Sequence, residues 1–553
     1  MKRTTTSKES QPSTSSGSTR SKEKDPFKKV VPTKNAQNLF LGTAVCIILI
    51  TVGFLYVKFI NPQALANNNQ NNENTFIDRD PATLQSIKNG LFRQSLWNKF
   101  NQQCSDKTVA VGYNTNLDLI VDATDLLEAL KLSPSKSSVS PSQTINNLDQ
   151  FEKTFSYYFK SGSAAERFVQ DESTFKEIID KALSLPKKTF FTGGNAGIMA
   201  NRLAKENCNV YLNGVIGSQL KQMLDPKVKV LPYETKEKQD YDEIHLIMEY
   251  GQKNQWGDNK SPRANRFIVS NDVTNSNLLT MESFHKHLDI LSEKPDLILL
   301  SGLHLLNQNT QKQRIHDMMD LLKKIPYSSD ASEFLTPAKN IPVHLELASI
   351  ASENFIRMLA NSVIPYVDSL GLNEQEIGFL YTATGGDKYT MDDFKQPTVN
   401  VAVEAITHIF NRIVQAEDTA QMGLDLMSQW RTTTRIHFHY LTYHIVAIRK
   451  NSAWSSEKAS ASVAASSIEA TNQACAFDSV ELHLPLEFKV DYRYTPGSTK
   501  TITINKSSPV TKWQDSGIEF HIAPVLVCQS PSKTVGLGDS ISTIGFLYQT
   551  VKF

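Results

Sequence analysis

Apolar residues along this chain fall into two patterns. The first is one unbroken run: Leu39 to Val57 (LFLGTAVCIILITVGFLYV) holds 19 uncharged residues and is closed by Lys58. At about 1.5 Å of rise per residue, such a helix nearly spans a roughly 30 Å hydrocarbon core; a buried core helix is the alternative. The second pattern begins near residue 86, where short β-rich runs alternate with stretches of helical periodicity. Strands are expected at Thr108–Gly112, Val210–Val215, Glu243–Glu249, Arg266–Ser270, Asp296–Ser301, Val343–Leu347, Thr434–His439 and Ile522–Cys528. Helices are expected at Asn195–Glu206, Phe355–Ala360, Glu374–Tyr381, Val401–Val414, Glu457–Ala474 and Asp539–Tyr548. Strands separated by helices of ten or more residues indicate βαβ units, so the expected fold class is α/β with a mostly parallel central sheet. In such folds ligands bind beyond the C-terminal ends of the strands. Ser133–Thr144 and Tyr327–Lys339 are polar and Pro/Ser-rich, and read as surface insertions.

Composition is ordinary for a globular protein: 553 residues, 40% apolar and 21% charged. The net charge of +1 hides an asymmetry, because residues 1–34 carry +6 and the rest −5. A mildly acidic body disfavours nucleic acid as a partner. The expected organisation is a disordered basic tail (1–34), a transmembrane anchor (36–58), an Asn-rich linker (59–85) and a folded body (86–553). A secretory signal peptide would be shorter and nearer the start. The positive flank precedes the run, which keeps the tail cytosolic and sends the body across the membrane. The expected address is therefore the endoplasmic reticulum membrane or secretory pathway, as a type II anchor with a luminal body. Cys46 lies in the run, leaving Cys104, Cys208, Cys475 and Cys528, an even number in a disulfide-permitting compartment. Asn505-Lys506-Ser507 is a glycosylation sequon, and Asn259-Lys260-Ser261 is another, weakened by Pro262.

The sharpest local motif is Thr534-Val535-Gly536-Leu537-Gly538-Asp539-Ser540 before the apolar-periodic ISTIGFLY. A glycine turn opening a helix aims N–H groups and the positive dipole end outward, which suits a phosphate. Asp539 there could take a proton from a substrate hydroxyl, or serve simply as an N-cap. Gly-x-Gly-Asp also occurs in intramembrane aspartyl proteases; those need carboxylates within several membrane spans, and the single span here has none. Asn373-Glu374-Gln375-Glu376 is close to a capping box, yet Glu376 could also help place Mg²⁺. Glu346, near the end of the strand in IPVHLELAS, is a second such carboxylate or merely a solvated one. Asn116 and Asp118 share one face as a strand ends, suited to sugar hydroxyls or to a turn. Gly193-Gly194-Asn195 lets a ligand approach the backbone between strand and helix. Arg266 could clamp a phosphate or join a surface ion pair. His437 and His439 share a strand face, but no third ligand falls at a zinc spacing.

Together these segments resemble the eukaryotic ADP-dependent glucokinases, a branch of the ribokinase superfamily. The resemblance runs through GYNTNLD, FFTGGNAGIMANRLA, RANRFIVSND, LSGLHLL, IPVHLELAS, SLGLNEQE, TRIHFHYLTYHI, TNQACA, PVLVC and TVGLGDSIS. It implies a ribokinase-like large α/β domain with a smaller β-rich lid, formed by insertions within about 115–275. It implies transfer of the β-phosphate of ADP to glucose, giving glucose 6-phosphate and AMP; a monomer is expected. Asp539 then resembles the catalytic base and Arg266 the arginine meeting the transferring phosphate. Gly536 and Gly538 resemble the phosphate loop, and Glu346, Glu376 and Asp539 the Mg²⁺ positions. Asn116, Asp118, Gly194 and Asn195 match the sugar pocket; Arg435, His437 and Val527 lie in segments expected to flank the adenine. The resemblance also suggests a Cys475–Cys528 disulfide. ADP rather than ATP as donor rests on the resemblance alone. A kinase of another sugar and a catalytically silent, membrane-tethered binding protein remain as alternatives.

Overall fold

The structure, a computed structural model, describes residues 76–96, 104–134, 140–233, 241–325, 341–348, 350, 352–421, 432–450, 452–491, 499–531 and 536–550. All of them fall in one compact unit. The basic tail, the Leu39–Val57 run, the Asn-rich stretch 61–74 and the 327–339 insertion lie outside the described residues. Among the described residues no helix is long and apolar enough to cross a membrane.

Ten strands form the central sheet. From one edge, Val228–Val230, Asn209–Leu212, Thr108–Gly112, Leu297–Leu300, Val343–Glu346, Ser369–Leu372 and Arg435–Tyr440 are all parallel. Tyr443–Arg449, Ile518–Pro524 and Thr511–Asp515 complete it in antiparallel fashion. Every residue of Leu297–Leu300 (LILL) and Val343–Glu346 is buried. Central parallel strands are covered on both faces by helices, which is why they read as nearly unbroken apolar runs. The covering helices include Asn195–Lys205, Glu353–Ser362, Glu374–Ala383, Ser456–Cys475 and Leu537–Thr550. This is the expected α/β arrangement with a mostly parallel central sheet.

A second sheet of six strands runs Thr144–Ile145, Ala165–Val169, Asn265–Ser270, Ile244–Tyr250, Asn116–Asp122, Thr189–Gly193. One of its faces is packed with rings: Phe155 meets Tyr250, Trp256 and Phe267 edge-on, and stacks on Phe159. Phe155 and Phe159 come from the helix Leu148–Ser161, which is capped by Asn147 and ended by left-handed Gly162. With that face sealed, the opposite face is left to carry polar side chains.

Three expectations change. The linker boundary at 85 falls inside a helix, Pro81–Ser95, whose cap Asp80 accepts from the Thr83 N–H. Its Ile87 and Leu91 are fully buried, an i, i+4 pair that anchors it to the body. Ile522–Cys528 is two strands: the central-sheet strand ends at Pro524, and Leu526–Cys528 pairs with Val480–Leu482 instead. Asn116 and Asp118 do not end a strand; they open the strand Asn116–Asp122 of the second sheet. Two disulfides join the cysteines, Cys475–Cys528 and Cys104–Cys208, with Cα atoms 6.0 and 4.7 Å apart.

Candidate active site

The chain leaves the central sheet after Gly112 and returns after Gly193, and these crossings bring the two sheets together. Gly194 caps the helix Asn195–Lys205 with φ 72°, and a Cβ there would lie 2.7 Å from Thr115 Cα and 2.8 Å from the Asn114 carbonyl oxygen. Only glycine combines that dihedral with that approach. Thr115 Oγ1 donates to the Val215 carbonyl at 2.7 Å, and Asn275 Nδ2 donates to the Thr115 carbonyl at 2.9 Å. The result is a fixed junction from which a relay of amides emerges. Asn114 Nδ2 donates to Asn195 Oδ1 at 3.1 Å, and Asn195 Nδ2 donates to Asp539 Oδ1 at 2.6 Å.

Asp539 is the third residue of the helix Leu537–Thr550, so it is not the N-cap. Gly536 (φ 70°) stands just before that helix, and Gly538 lies in its first turn against the His439 ring. The first-turn N–H groups have no partner within the helix and point the positive dipole end outward. Burial, with the Glu346 charge adding, pushes Asp539 up to about 7, against the pull of the Asn195 amide and His439. A carboxylate with a pKa near neutrality is suited to accept a proton from a hydroxyl.

Two more carboxylates converge there from neighbouring strand ends. Glu346 is the last residue of Val343–Glu346, and its Oε1 lies 3.0 Å from His439 Nε2. Its Oε2 is buried without a hydrogen-bond partner, with His344 Nε2 at 3.4 Å. Burial alone would raise the Glu346 pKa, but His344 and His439 hold it below its ordinary value. Gly371 on the adjacent strand makes room: a Cβ there would fall 1.8 Å from Glu346 Oε2. Glu376 does close a capping box, accepting from the Asn373 N–H at 2.8 Å while Asn373 Oδ1 accepts from the Glu376 N–H at 3.1 Å. It is also buried. Desolvation, reinforced by Glu346, Glu374 and Asp539, drives its pKa well above the ordinary value.

Three mutually repelling buried carboxylates, one with an orphaned oxygen, fit a divalent cation. Among the described residues no three His, Cys, Asp or Glu side chains close into a direct coordination shell.

Across the junction, the open face of the second sheet holds the sugar-pocket candidates. Asn116 Nδ2 donates to Asp118 Oδ1 at 2.7 Å, next to Gly193. Asp118 is in register with His245, and Arg266 and Glu166 share that face. Burial raises the Asp118 pKa, with His245, the Asn116 hydrogen bond and Arg266 opposing it. His245 Nε2 lies 2.9 Å from Asp272 Oδ2. Burial would lower the His245 pKa; Asp272, Glu166 and Asp118 override this and hold it up at about 9.

Arg435 and His437 are corrections. Both are fully buried, beneath the helices Ser456–Cys475 and Leu537–Thr550. Arg435 donates to Ser369 Oγ at 2.7 Å, and to Ser462 Oγ and the Gly545 carbonyl at 3.0 Å. His437 Nε2 meets Ser466 Oγ at 3.2 Å. An adenine cannot reach either side chain without displacing those helices. Val527, in Leu526–Cys528, pairs with Glu481 and is not in the central sheet. The residues that motif reading missed are Asn114, His245, Asp272 and Gly371. Asn114 sits inside GYNTNLD and was the most accessible, since an Asn two residues before Asn116 lies on the same turn.

A parallel α/β sheet with acidic strand ends and a glycine-opened helix, facing a smaller sheet with a polar inner face, defines a phosphotransferase of the sugar-kinase class. The chain matches the ADP-specific phosphofructokinase/glucokinase conserved region over residues 107–548 and belongs to that family. It is 34% identical over 456 residues to the ADP-dependent glucokinase of Bos taurus, covering 80% of this chain and 85% of that protein. It is 32% identical over 451 residues to a probable ADP-dependent glucokinase of Caenorhabditis elegans, with the same coverages. Among solved structures, the last common ancestor of ADP-dependent phosphofructokinases from Methanosarcinales superposes with a TM-score of 0.59 at 18% identity. That match covers 85% of this chain and 99% of the ancestor, and speaks for the fold.

Proposed function

We propose that this protein is an ADP-dependent glucokinase that transfers the β-phosphate of ADP to the 6-hydroxyl of glucose, giving glucose 6-phosphate and AMP. The observation that carries the reading is the Asn114–Asn195–Asp539 relay. It ties Asp539, whose pKa is pushed up to about 7 in the first turn of the glycine-opened helix, to the junction from which the strand bearing Asn116 and Asp118 starts. Asn116, Asp118 and His245 hold the sugar hydroxyls, and Asn195 keeps Asp539 oriented toward the 6-hydroxyl. The O6–phosphorus bond forms as the bond to the α-phosphate oxygen breaks; the hydroxyl proton passes to Asp539 and AMP leaves. The first-turn N–H groups after Gly536 receive the transferring phosphate. Arg266 approaches it from the second sheet. A bound Mg²⁺, held by Glu346 and Glu376, would neutralise phosphate oxygens. Because the transition state is loose, positioning and charge stabilisation matter more than base strength. Closure of the small sheet over glucose keeps water from the same phosphorus.

The family contains phosphofructokinases as well, so the acceptor is the point to test. Glu166 and Asp118 on the sugar face disfavour an acceptor that already carries a phosphate. Steady-state kcat/KM with ADP and Mg²⁺ is expected to be far higher for glucose than for fructose 6-phosphate. The reverse order would reassign the acceptor while leaving the site intact.

A further inference from the structure

Two N-x-Ser sequons stand apart from the catalytic site, and the fold treats them differently. Asn259 lies in the short strand Asn259–Lys260, paired with Gln255–Trp256. Its Nδ2 is buried, and Ser261 is 1% exposed with its hydroxyl donating to the Arg263 carbonyl at 2.6 Å. A branched sugar on that nitrogen has no room in the folded protein. Asn505 instead sits in an exposed turn between the strands Thr499–Thr503 and Thr511–Asp515, the latter at the outer edge of the central sheet. Asn505 through Ser508 are all exposed. Asn505 Oδ1 accepts from the Ser507 N–H at 2.9 Å and from Ser507 Oγ at 2.8 Å, so the sequon's hydroxyl and amide are already associated. The turn is braced on the first helix: Arg93 donates to the Ser507 carbonyl at 2.8 Å, and Lys506 Nζ to Thr83 Oγ1 at 2.7 Å. A glycan there projects from a braced corner at the outer edge of the central sheet.

An independent observation bears on the compartment. All four cysteines of the body are paired, as Cys104–Cys208 and Cys475–Cys528. Disulfides persist in the oxidising secretory pathway and are rare in the cytosol, and the same compartment supplies N-glycosylation. We propose that the body faces that lumen and carries one N-linked glycan, on Asn505, while Asn259 is unmodified. The donor is a lipid-pyrophosphate-linked oligosaccharide. Asn505 Nδ2 forms a bond to the anomeric carbon of its first N-acetylhexosamine and gives up one proton. The anomeric carbon–oxygen bond to pyrophosphate breaks, and the lipid pyrophosphate leaves.

The test expresses the full chain in animal cells and treats it with peptide N-glycosidase F. The expected result is a one-glycan gain in gel mobility, abolished by Asn505→Gln and by Ser507→Ala, and unaffected by Asn259→Gln. Ser507→Ala keeps the asparagine, so agreement of the two variants separates loss of the sugar from loss of folding. Both variants are expected to retain wild-type kcat and KM. A glycosidase-insensitive wild-type chain overturns the proposal, as does a shift that survives in Asn505→Gln. Thiol alkylation before reduction, run on a Cys46→Ser background, locates the failure: four protected cysteines with no glycan refute Asn505 alone, and reactive body cysteines refute the compartment too.

Discussion

At the ends of the central strands, Glu346, Glu376 and Asp539 are buried together, with His344 and His439 beside Glu346, and one oxygen of Glu346 has no hydrogen bond. On the second sheet, Asp118 and Asp272 face His245, with Arg266 on the same surface. The first region is under-compensated, as expected of a place that receives a cation and a polyphosphate. The second gives its carboxylates hydrogen-bonding partners of their own, as expected of a surface that binds a neutral polyol through hydrogen bonds. Burying like charges raises their pKa values, and burying a carboxylate beside an imidazolium raises that of the imidazolium. Asp539 and Glu376 show the first behaviour and His245 the second. The amide chain Asn114–Asn195 is the physical link between them.

That contrast can be broken from either side. The largest effect is expected from Asp539→Asn, which keeps the Asn195 contact nearly isosteric but removes the proton acceptor. Turnover should fall by about 10²–10⁴-fold with nucleotide affinity little changed; equal loss of both would make Asp539 a structural residue.

The second region should reveal itself through pH. His245 has a folded pKa of about 9, above its ordinary 6.5. Its contribution to stability is therefore complete below about pH 6.5 and lost as pH rises through about 9, an upper limit of about 3 kcal/mol by linkage. Thermal melts of the wild type between pH 6.5 and 10 should show that decline, and His245→Asn should flatten it. Parallel curves for the two proteins would remove His245–Asp272 from the account.

Glu346→Gln probes the under-compensated side more gently. The Mg²⁺ concentration required for half-maximal rate should rise by about 10–100-fold, while the melting temperature holds or falls, because the folded state favours the ionised carboxylate beside His344 and His439. An unchanged Mg²⁺ requirement would separate Glu346 from the metal. The smallest effect on catalysis is expected from Arg435→Met: stability should drop by about 1–3 kcal/mol from unpaired buried hydroxyls and carbonyl, with KM for ADP unchanged. A selective rise in that KM would restore the nucleotide role that burial denies it.

Much of the central sheet was legible because its strands are buried on both faces and therefore read as apolar runs. The Leu148–Ser161 helix and the partition of 116–270 into a second sheet were less so, since those strands alternate faces and their neighbours are set by long-range pairing. The carboxylates were visible as motifs at strand ends. Their roles were harder: Glu376 closes a capping box and sits among the buried site carboxylates at once, where the motif offers the two readings as alternatives. Arg435 is expected near the adenine only through the segment it lies in, and that segment does not reveal that its strand face is covered by two helices. Gly371 carried no signal beyond an unremarkable SLGL; its meaning lies 1.8 Å away, in the carboxylate that a Cβ would strike.

The most direct test of the central claim is product analysis of the full chain with glucose, Mg²⁺ and either ADP or ATP, run beside Asp539→Asn. The account predicts glucose 6-phosphate and AMP from ADP, little product from ATP, and loss of product in the variant. Efficient transfer from ATP, or undiminished turnover by Asp539→Asn, would contradict it.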